Sequence, residues 1–253
     1  MISVVSPRIH NLGDFSHCLP ALSGLYKKLG HKINFVICDR LQRFKGIKEL
    51  FLEQEMFERV SFYYEGKFDH KNCIMIDDTG ADGLYGDSAI VTHRYANFIK
   101  YNYKIDFDVD EEFDLQVPNL NIDYQNDKIV IGDRWSPSDA PDVDERRYSN
   151  MIESSGKIKP EDALYLDYTN DLIYNCSMIK YNKNPFVSTF TGISVLADLM
   201  HKEQIVLWGE DIRNWDNKPI INSFKQHYFQ NRKAKLEYIG DFTQDKVYGF
   251  NNI

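Results

Sequence analysis

Two short stretches of this chain carry residue types whose spacing suits chemistry. In the first, the apolar run Ile2-Ser3-Val4-Val5 leads into a loop ending at Leu12-Gly13-Asp14, and Cys18-Leu19-Pro20-Ala21-Leu22-Ser23-Gly24-Leu25 then has the spacing of an amphipathic helix. Strand, glycine turn, carboxylate and helix in that order put Asp14 at the carboxyl edge of the first strand, where open α/β sheets bind ligands. A carboxylate there can take a proton. Its ordinary pKa of ~3.9 makes it a weak base unless the surroundings raise or align it. The other reading of Asp14 is a helix N-cap beside Gly13, and spacing alone leaves both open.

The second stretch is Phe186-Val187-Ser188-Thr189-Phe190-Thr191-Gly192-Ile193-Ser194-Val195-Leu196-Ala197, where small hydroxyl residues cluster as a strand passes into a helix. The first turn of a helix presents N–H groups without intrahelical partners and a partial positive charge. Gly192 lets an anion approach closely, and Thr191 or Ser194 can add hydroxyl donors, which together make a candidate diphosphate cradle. Against that stands a simpler role for Thr191 as the cap of the helix.

Around these stretches the hydrophobic periodicity alternates strands with helices. Ile2–Ser6 reads as a strand, His17–Lys28 as a helix and Lys32–Ile37 as a second strand. A helical segment around Leu41–Gln54, the strand-like Val60–Tyr64 and Cys73–Ile76, and a helix over His93–Lys104 follow. The acidic stretch Asp106–Tyr124, with Pro118, reads as a linker. The pattern restarts with a strand at Lys128–Gly132 and a helix near Asp144–Ser154. Strands at Leu164–Tyr168, Pro185–Thr189 and Gln204–Trp208 alternate with helices at Asp171–Lys180 and Gly192–His201. Alternation of this kind predicts an α/β fold with parallel sheets, here two Rossmann-like domains facing across a cleft, residues 1–122 and 123–253.

Composition agrees with a folded protein. The 253 residues are 43% hydrophobic and 14% aromatic, enough for a core in each half. No apolar run approaches the ~18 residues of a membrane span. The start, Met1-Ile2-Ser3-Val4, has neither a basic leader region nor a cleavage site, and the four cysteines, Cys18, Cys38, Cys73 and Cys176, form no CxxC pair. The expectation is therefore a cytoplasmic protein with reduced thiols and no zinc site. The net charge of −8 disfavours broad nucleic-acid binding. The abundance of Asn, Lys, Ile, Tyr and Asp is what an AT-rich genome encodes, as in a bacteriophage or a low-GC bacterium. There is no HExxH, GxSxG, Walker A or GxGxxG motif. Asp106-Phe107-Asp108, Asp108-Val109-Asp110 and Asp142-Val143-Asp144 imitate a metal-binding DxD but lie in acidic linker-like stretches, where solvated charge is the better reading.

Gly13-Asp14 followed by Leu19-Pro20-Ala21-Leu22, and Phe190-Thr191-Gly192-Ile193-Ser194-Val195-Leu196-Ala197 followed by Val206-Leu207-Trp208-Gly209, together resemble the heptosyltransferase-like glycosyltransferases. The order and separation of elements match over most of the chain. The sequence departs where the family has an aspartate (Phe190) and a histidine (Val195). The resemblance implies a GT-B-like fold and inverting transfer from a nucleotide-diphosphate sugar, with Asp14 as base and with no metal or other cofactor required. Donor contacts would come from Arg134, Thr189, Thr191, Gly192, Ser194 and Glu210, and acceptor contacts from His10, Asn11, Gly13 and Arg94. For Arg134 an exposed loop arginine, and for Glu210 a solvated acidic turn, are equally open readings. The acceptor would be a saccharide or, for a phage protein, a hydroxymethylated pyrimidine in DNA. Lys225, Arg232, Lys233 and Lys235, with the helix Arg94–Lys104, could supply a local DNA-facing surface despite the net charge. A member that binds nucleotide sugar or glycan without catalysis is the alternative, because of Phe190 and Val195.

Overall fold

A computed structural model describes residues 2–9, 12–65, 72–76, 91–132, 152, 156–189, 191–208 and 234–238. Strands β1 (Ile2–Ser6), β2 (Ile33–Ile37), β3 (Phe57–Phe62) and β4 (Cys73–Met75) form a parallel sheet in the order β3-β2-β1-β4. Strands β5 (Ile129–Gly132), β6 (Ala163–Tyr165), β7 (Phe186–Thr189), β8 (Gln204–Trp208) and β9 (Ala234–Tyr238) form a second, in the order β6-β5-β7-β8-β9. In each sheet the chain starts on an inner strand, steps outward one way, and then crosses to the other side. The order reverses between β1 and β4 in the first sheet and between β5 and β7 in the second. Such reversals open a crevice at the carboxyl ends of the strands, since the flanking crossovers depart in opposite directions.

The helices are α1 (Leu12–Ser16), α2 (Leu19–Leu29), α3 (Ile47–Leu52), α4 (Val91–Tyr103), α5 (Leu172–Tyr181) and α6 (Gly192–Leu199). The helix expected over His17–Lys28 is α2, which starts two residues later, and the end of the loop expected before it, Leu12-Gly13-Asp14, is in the helical α1. Pro20 sits in the first turn of α2, where its missing N–H costs nothing. The helix ends at Gly30, whose φ of +68° lets its N–H bond back to the Tyr26 carbonyl at 2.9 Å. Strand β3 runs Phe57–Phe62, ahead of the expected Val60–Tyr64. A turn stops it there, with Glu65 N–H bonding Phe62 O at 3.0 Å and Tyr64 N–H bonding Asp39 Oδ1 at 2.9 Å. Strand β9 was not legible at all. Of the helix expected near Asp144–Ser154 only Ile152 is described, and it is helical. No described helix is long and apolar enough to cross a membrane.

The stretch read as a linker is an ordered strap over residues 104–125, without helix or strand. On one side Asp110 N–H bonds Pro20 O at 3.1 Å, and Gln54 bonds Gln116 twice, Nε2 to its carbonyl and Oε1 from its N–H, each at 2.9 Å. On the other, Leu115 N–H bonds Leu199 O at 2.8 Å, Lys180 Nζ bonds Leu115 O at 2.8 Å and Tyr181 OH bonds Val117 O at 2.8 Å. The strap covers the outer face of α2, so Leu19–Leu25 is buried all round rather than along one stripe. One core cluster, reaching from Val4 to Met200, runs through both halves, beside two smaller ones, around Ile131, Val187 and Leu207 and around Val5 and Val36.

Candidate functional site at the meeting of the two sheets

Helix α1 follows β1 directly and is held down by Phe15, which is fully buried and stacks on Phe35 of β2 at 5.3 Å with 5° between planes. Burial of a phenylalanine contributes roughly 1.5–3 kcal/mol, ample to fix a helix of one turn and a half. Leu12 is also buried, and Ser16 Oγ donates to Leu12 O at 2.6 Å, closing the turn. The backbone of Asp14 is thereby pinned at the carboxyl edge of β1, beside the first reversal of strand order.

Helix α6 follows β7 at the second reversal. Its sequence has an internal cap: Ser194 Oγ accepts from Thr191 N–H at 3.1 Å and donates to Thr191 O at 2.6 Å. Ser194 is wholly buried and its hydroxyl is committed to that cap. Thr191 holds the N-cap position of a capping box with Ser194, its buried Oγ1 facing the Ser194 N–H without making a full hydrogen bond. The capping role read for Thr191 is therefore shared with Ser194, and the Thr191 hydroxyl keeps hydrogen-bonding capacity that the cap does not use. By helix geometry the N–H groups of Gly192 and Ile193 likewise have no carbonyl within the helix to bond.

The two helices meet. A Cβ on Gly192 would stand 2.8 Å from Gly13 N and 2.9 Å from Leu12 Cβ, and one on Gly13 would stand 3.4 Å from Gly192 Cα. Gly132, at the end of β5, has the same function for the approach of α6 to its sheet. A Cβ there would meet Phe186 Cζ at 2.7 Å and Ile193 Cγ2 at 3.0 Å. Val195, at the position where the family carries histidine, is 1% exposed and lies 3.5 Å from where a Gly13 Cβ would sit. It packs α6 onto α1.

Of the residues expected at the site, the structure brings together Gly13, Thr191 and Gly192, with Asp14 next along the backbone. Thr189 is placed by its backbone at the end of β7. Arg94 is half-buried in the first turn of α4, on the chain leaving β4. His10, Asn11, Arg134 and Glu210 lie outside the described residues, as do Lys225, Arg232 and Lys233. Lys235 is an exposed residue of the edge strand β9.

Sequence reasoning missed two buried hydroxyls, Ser6 at the end of β1 and Ser188 on β7 opposite Gly132, neither of which has a hydrogen-bond partner. A small polar residue inside an apolar strand end was the available signal. His17, whose N–H bonds Gly13 O at 3.2 Å, is fully buried, and desolvation pulls its pKa from 6.5 to about 3, so the ring is neutral at physiological pH. Burial raises the Cys18 thiol well above its ordinary range, which keeps it inert. No group of three or more potential metal ligands occurs among the described residues.

Two parallel Rossmann-like sheets whose crevices meet edge to edge define the GT-B architecture of glycosyltransferases. The solved structures similar to this one agree. Escherichia coli heptosyltransferase WaaC with ADP superposes with a TM-score of 0.55 at 13% identity, over 99% of this chain and 98% of that one. The same enzyme with ADP-2-deoxy-2-fluoro heptose gives 0.54 at 11% identity, over 94% and 93%. A glycosyl transferase of family 9 from Veillonella parvula gives 0.53 at 13% identity, over 94% and 85%. The fold is that of the heptosyltransferase-like glycosyltransferases. The chain matches no protein-family model and no curated protein sequence.

Proposed function

We propose that this protein is an inverting glycosyltransferase that moves a sugar from a nucleotide-diphosphate donor to an acceptor hydroxyl. The observation that carries the reading is the contact of α1 with α6, which sets the Asp14 backbone near the buried Thr191 hydroxyl and the N–H groups of the α6 first turn. In this reading Asp14 takes the proton of the acceptor hydroxyl as its oxygen attacks the anomeric carbon, and the bond to the diphosphate breaks with inversion. The departing oxyanion is met by Thr191 and the amides of Gly192 and Ile193, a use of preorganised donors that needs no metal. Thr189, Arg134 and Glu210 complete the donor side, and His10, Asn11, Gly13 and Arg94 the acceptor side. The division into an acceptor-side domain, 1–122, and a donor-side domain, 123–253, follows from the same reading. An adenine nucleotide sugar is the first donor to try, because the similar E. coli enzyme was solved with ADP and an ADP-heptose analogue.

A saccharide is the favoured acceptor. In the basic helix α4, which could have faced DNA, Lys100 pairs with Asp106 of the strap at 2.6 Å. A DNA acceptor bearing hydroxymethylated pyrimidine predicts a salt-dependent gel shift with duplex DNA, and its absence at low salt removes that version. The reading of a protein that binds without transferring draws on Val195, which fills with an apolar contact the place of the family's histidine.

The test is transfer across a panel of nucleotide sugars with wild type, Asp14→Asn and Asp14→Ala. Loss of a general base lowers turnover by about 10²–10⁴-fold, and both variants are expected to fall in that range. Wild-type turnover in both would remove Asp14 from the mechanism. A raised melting temperature with donor but no transfer by wild type would favour the binding-only protein.

A further inference from the structure

We propose that Gly192 is a positioning residue: the absence of a side chain there sets how closely the backbone bearing Asp14 stands to the first turn of α6, before any ligand binds. The inference rests on the reading of Asp14 as base and Thr191 as donor contact, and adds the means by which their separation is fixed. The tight direction of the contact is one-sided. A Cβ on Gly192 would press on the Gly13 backbone nitrogen at 2.8 Å, which cannot swing aside, whereas a Cβ on Gly13 would make ordinary contacts at 3.4 and 3.5 Å. Each side also has an anchor on its own sheet, α1 in Phe15 stacked on Phe35 and α6 in Ile193 against Gly132. Added volume at Gly192 therefore has to appear as separation of the two helices.

Two other ties hold the same spacing from a distance. Leu172 N–H, at the start of α5, bonds Lys45 O at 2.7 Å beside Gly46, which has a φ of +77°. The strap bonds both halves through adjacent residues, Gln116 to Gln54 and Leu115 to Leu199. With three separated ties the halves are set in one arrangement, and the Gly13–Gly192 contact is the one that adjoins the chemistry.

The experiment compares wild type and Gly192→Ala by steady-state kinetics, ADP binding and amide hydrogen exchange. Misplacement of about an ångström costs catalysis far more than binding, so Gly192→Ala is expected to lower kcat by about tenfold or more while the ADP Kd and donor KM stay within about threefold. Its exchange over Leu12–Ser16 should rise, although the substitution lies in α6. Wild-type kcat in Gly192→Ala, or unchanged exchange over Leu12–Ser16, overturns the proposal. So does loss of ADP affinity in step with kcat, which would mean that the substitution acts on the diphosphate-binding turn itself and not through the spacing of the helices. Should Gly192→Ala not fold, wild type alone decides: protection of Leu12–Ser16 that is equal with and without ADP supports a preset spacing, and protection that appears only with ADP overturns it. The exchange readout needs no turnover, so a failure of the base reading, seen as full activity in Asp14→Asn, is distinguishable from a failure of the spacing.

Discussion

The two halves of this protein touch through surfaces of opposite character. Along the strap the joint is made by atoms added: amide, carboxylate, hydroxyl and ammonium groups reach across in at least two residues' worth of bonds to each side. At the α1–α6 contact the joint is made by atoms left out, Gly13 and Gly192 bringing backbone against backbone. Side-chain bonds at a half-exposed surface tolerate small shifts, because water and rotamer changes replace what is lost. A backbone contact has no such reserve. The soft joint is far from the proposed chemistry and the hard one is next to it.

The comparison fails if the strap proves as unforgiving as the glycine contact, and the sharpest place to look is the one point where the strap also meets a glycine. A Cβ on Gly24 of α2 would stand 2.0 Å from Asp108 O. Gly24→Ala gains up to about 1 kcal/mol of helix propensity, but forcing the strap away is expected to cost about 3 kcal/mol, read as a fall in the urea midpoint. A neutral result would mean that the strap yields as a whole.

A smaller effect separates the two joints by pH. His17, on the α1 side, accepts a proton at 6.5 when unfolded and at about 3 when folded. Its folded pKa is depressed, so its stability contribution is complete above the unfolded value and declines as pH falls from 6.5 toward about 3. At pH 5 the loss is roughly 2 kcal/mol relative to pH 7, and His17→Asn should flatten that slope in denaturation at the two pH values.

Asp110, on the strap side, acts later. Burial raises its carboxyl, but hydrogen bonds from Lys27 and Ser23 outweigh it and the net shift is downward. Its contribution is present above the unfolded value and is lost as pH falls through the lower folded one. Asp110→Asn should lower stability at pH 7 by about 1 kcal/mol or less and remove the part of acid sensitivity that sets in below about pH 4. Equal slopes for the two variants between pH 7 and 5 would contradict the contrast.

How far the sequence could be read differs between these same regions. Parallel strands announced themselves as short apolar runs, because a strand covered on both faces needs little else. Thr191-Gly192-Ser194 was legible as a helix start, since hydroxyls and glycine at that point have few other uses. The division of labour within it was not: Ser194 Oγ makes two full hydrogen bonds of the capping box and Thr191 Oγ1 none, which depends on rotamers. The strap was legible as the connection between the halves but not as an ordered one, because its acidic, Pro-containing composition is that of solvated chain. Its apolar residues, Ile105, Phe107, Val109, Phe113, Leu115 and Val117, alternate with polar ones as in a strand, yet they pack on the core without joining a sheet.

By itself the sequence determined the βα alternation, the carboxylate and glycine after the first strand, and the glycine and hydroxyls before α6. These are local matters of periodicity, turn chemistry and capping. Only the tertiary structure decided that Gly13 and Gly192 are each other's neighbours, that Val195 packs against α1, and that residues 104–125 bind both halves. Contacts between residues so far apart in the chain depend on how two independently stable surfaces fit, and no short stretch of sequence encodes a distance between backbones.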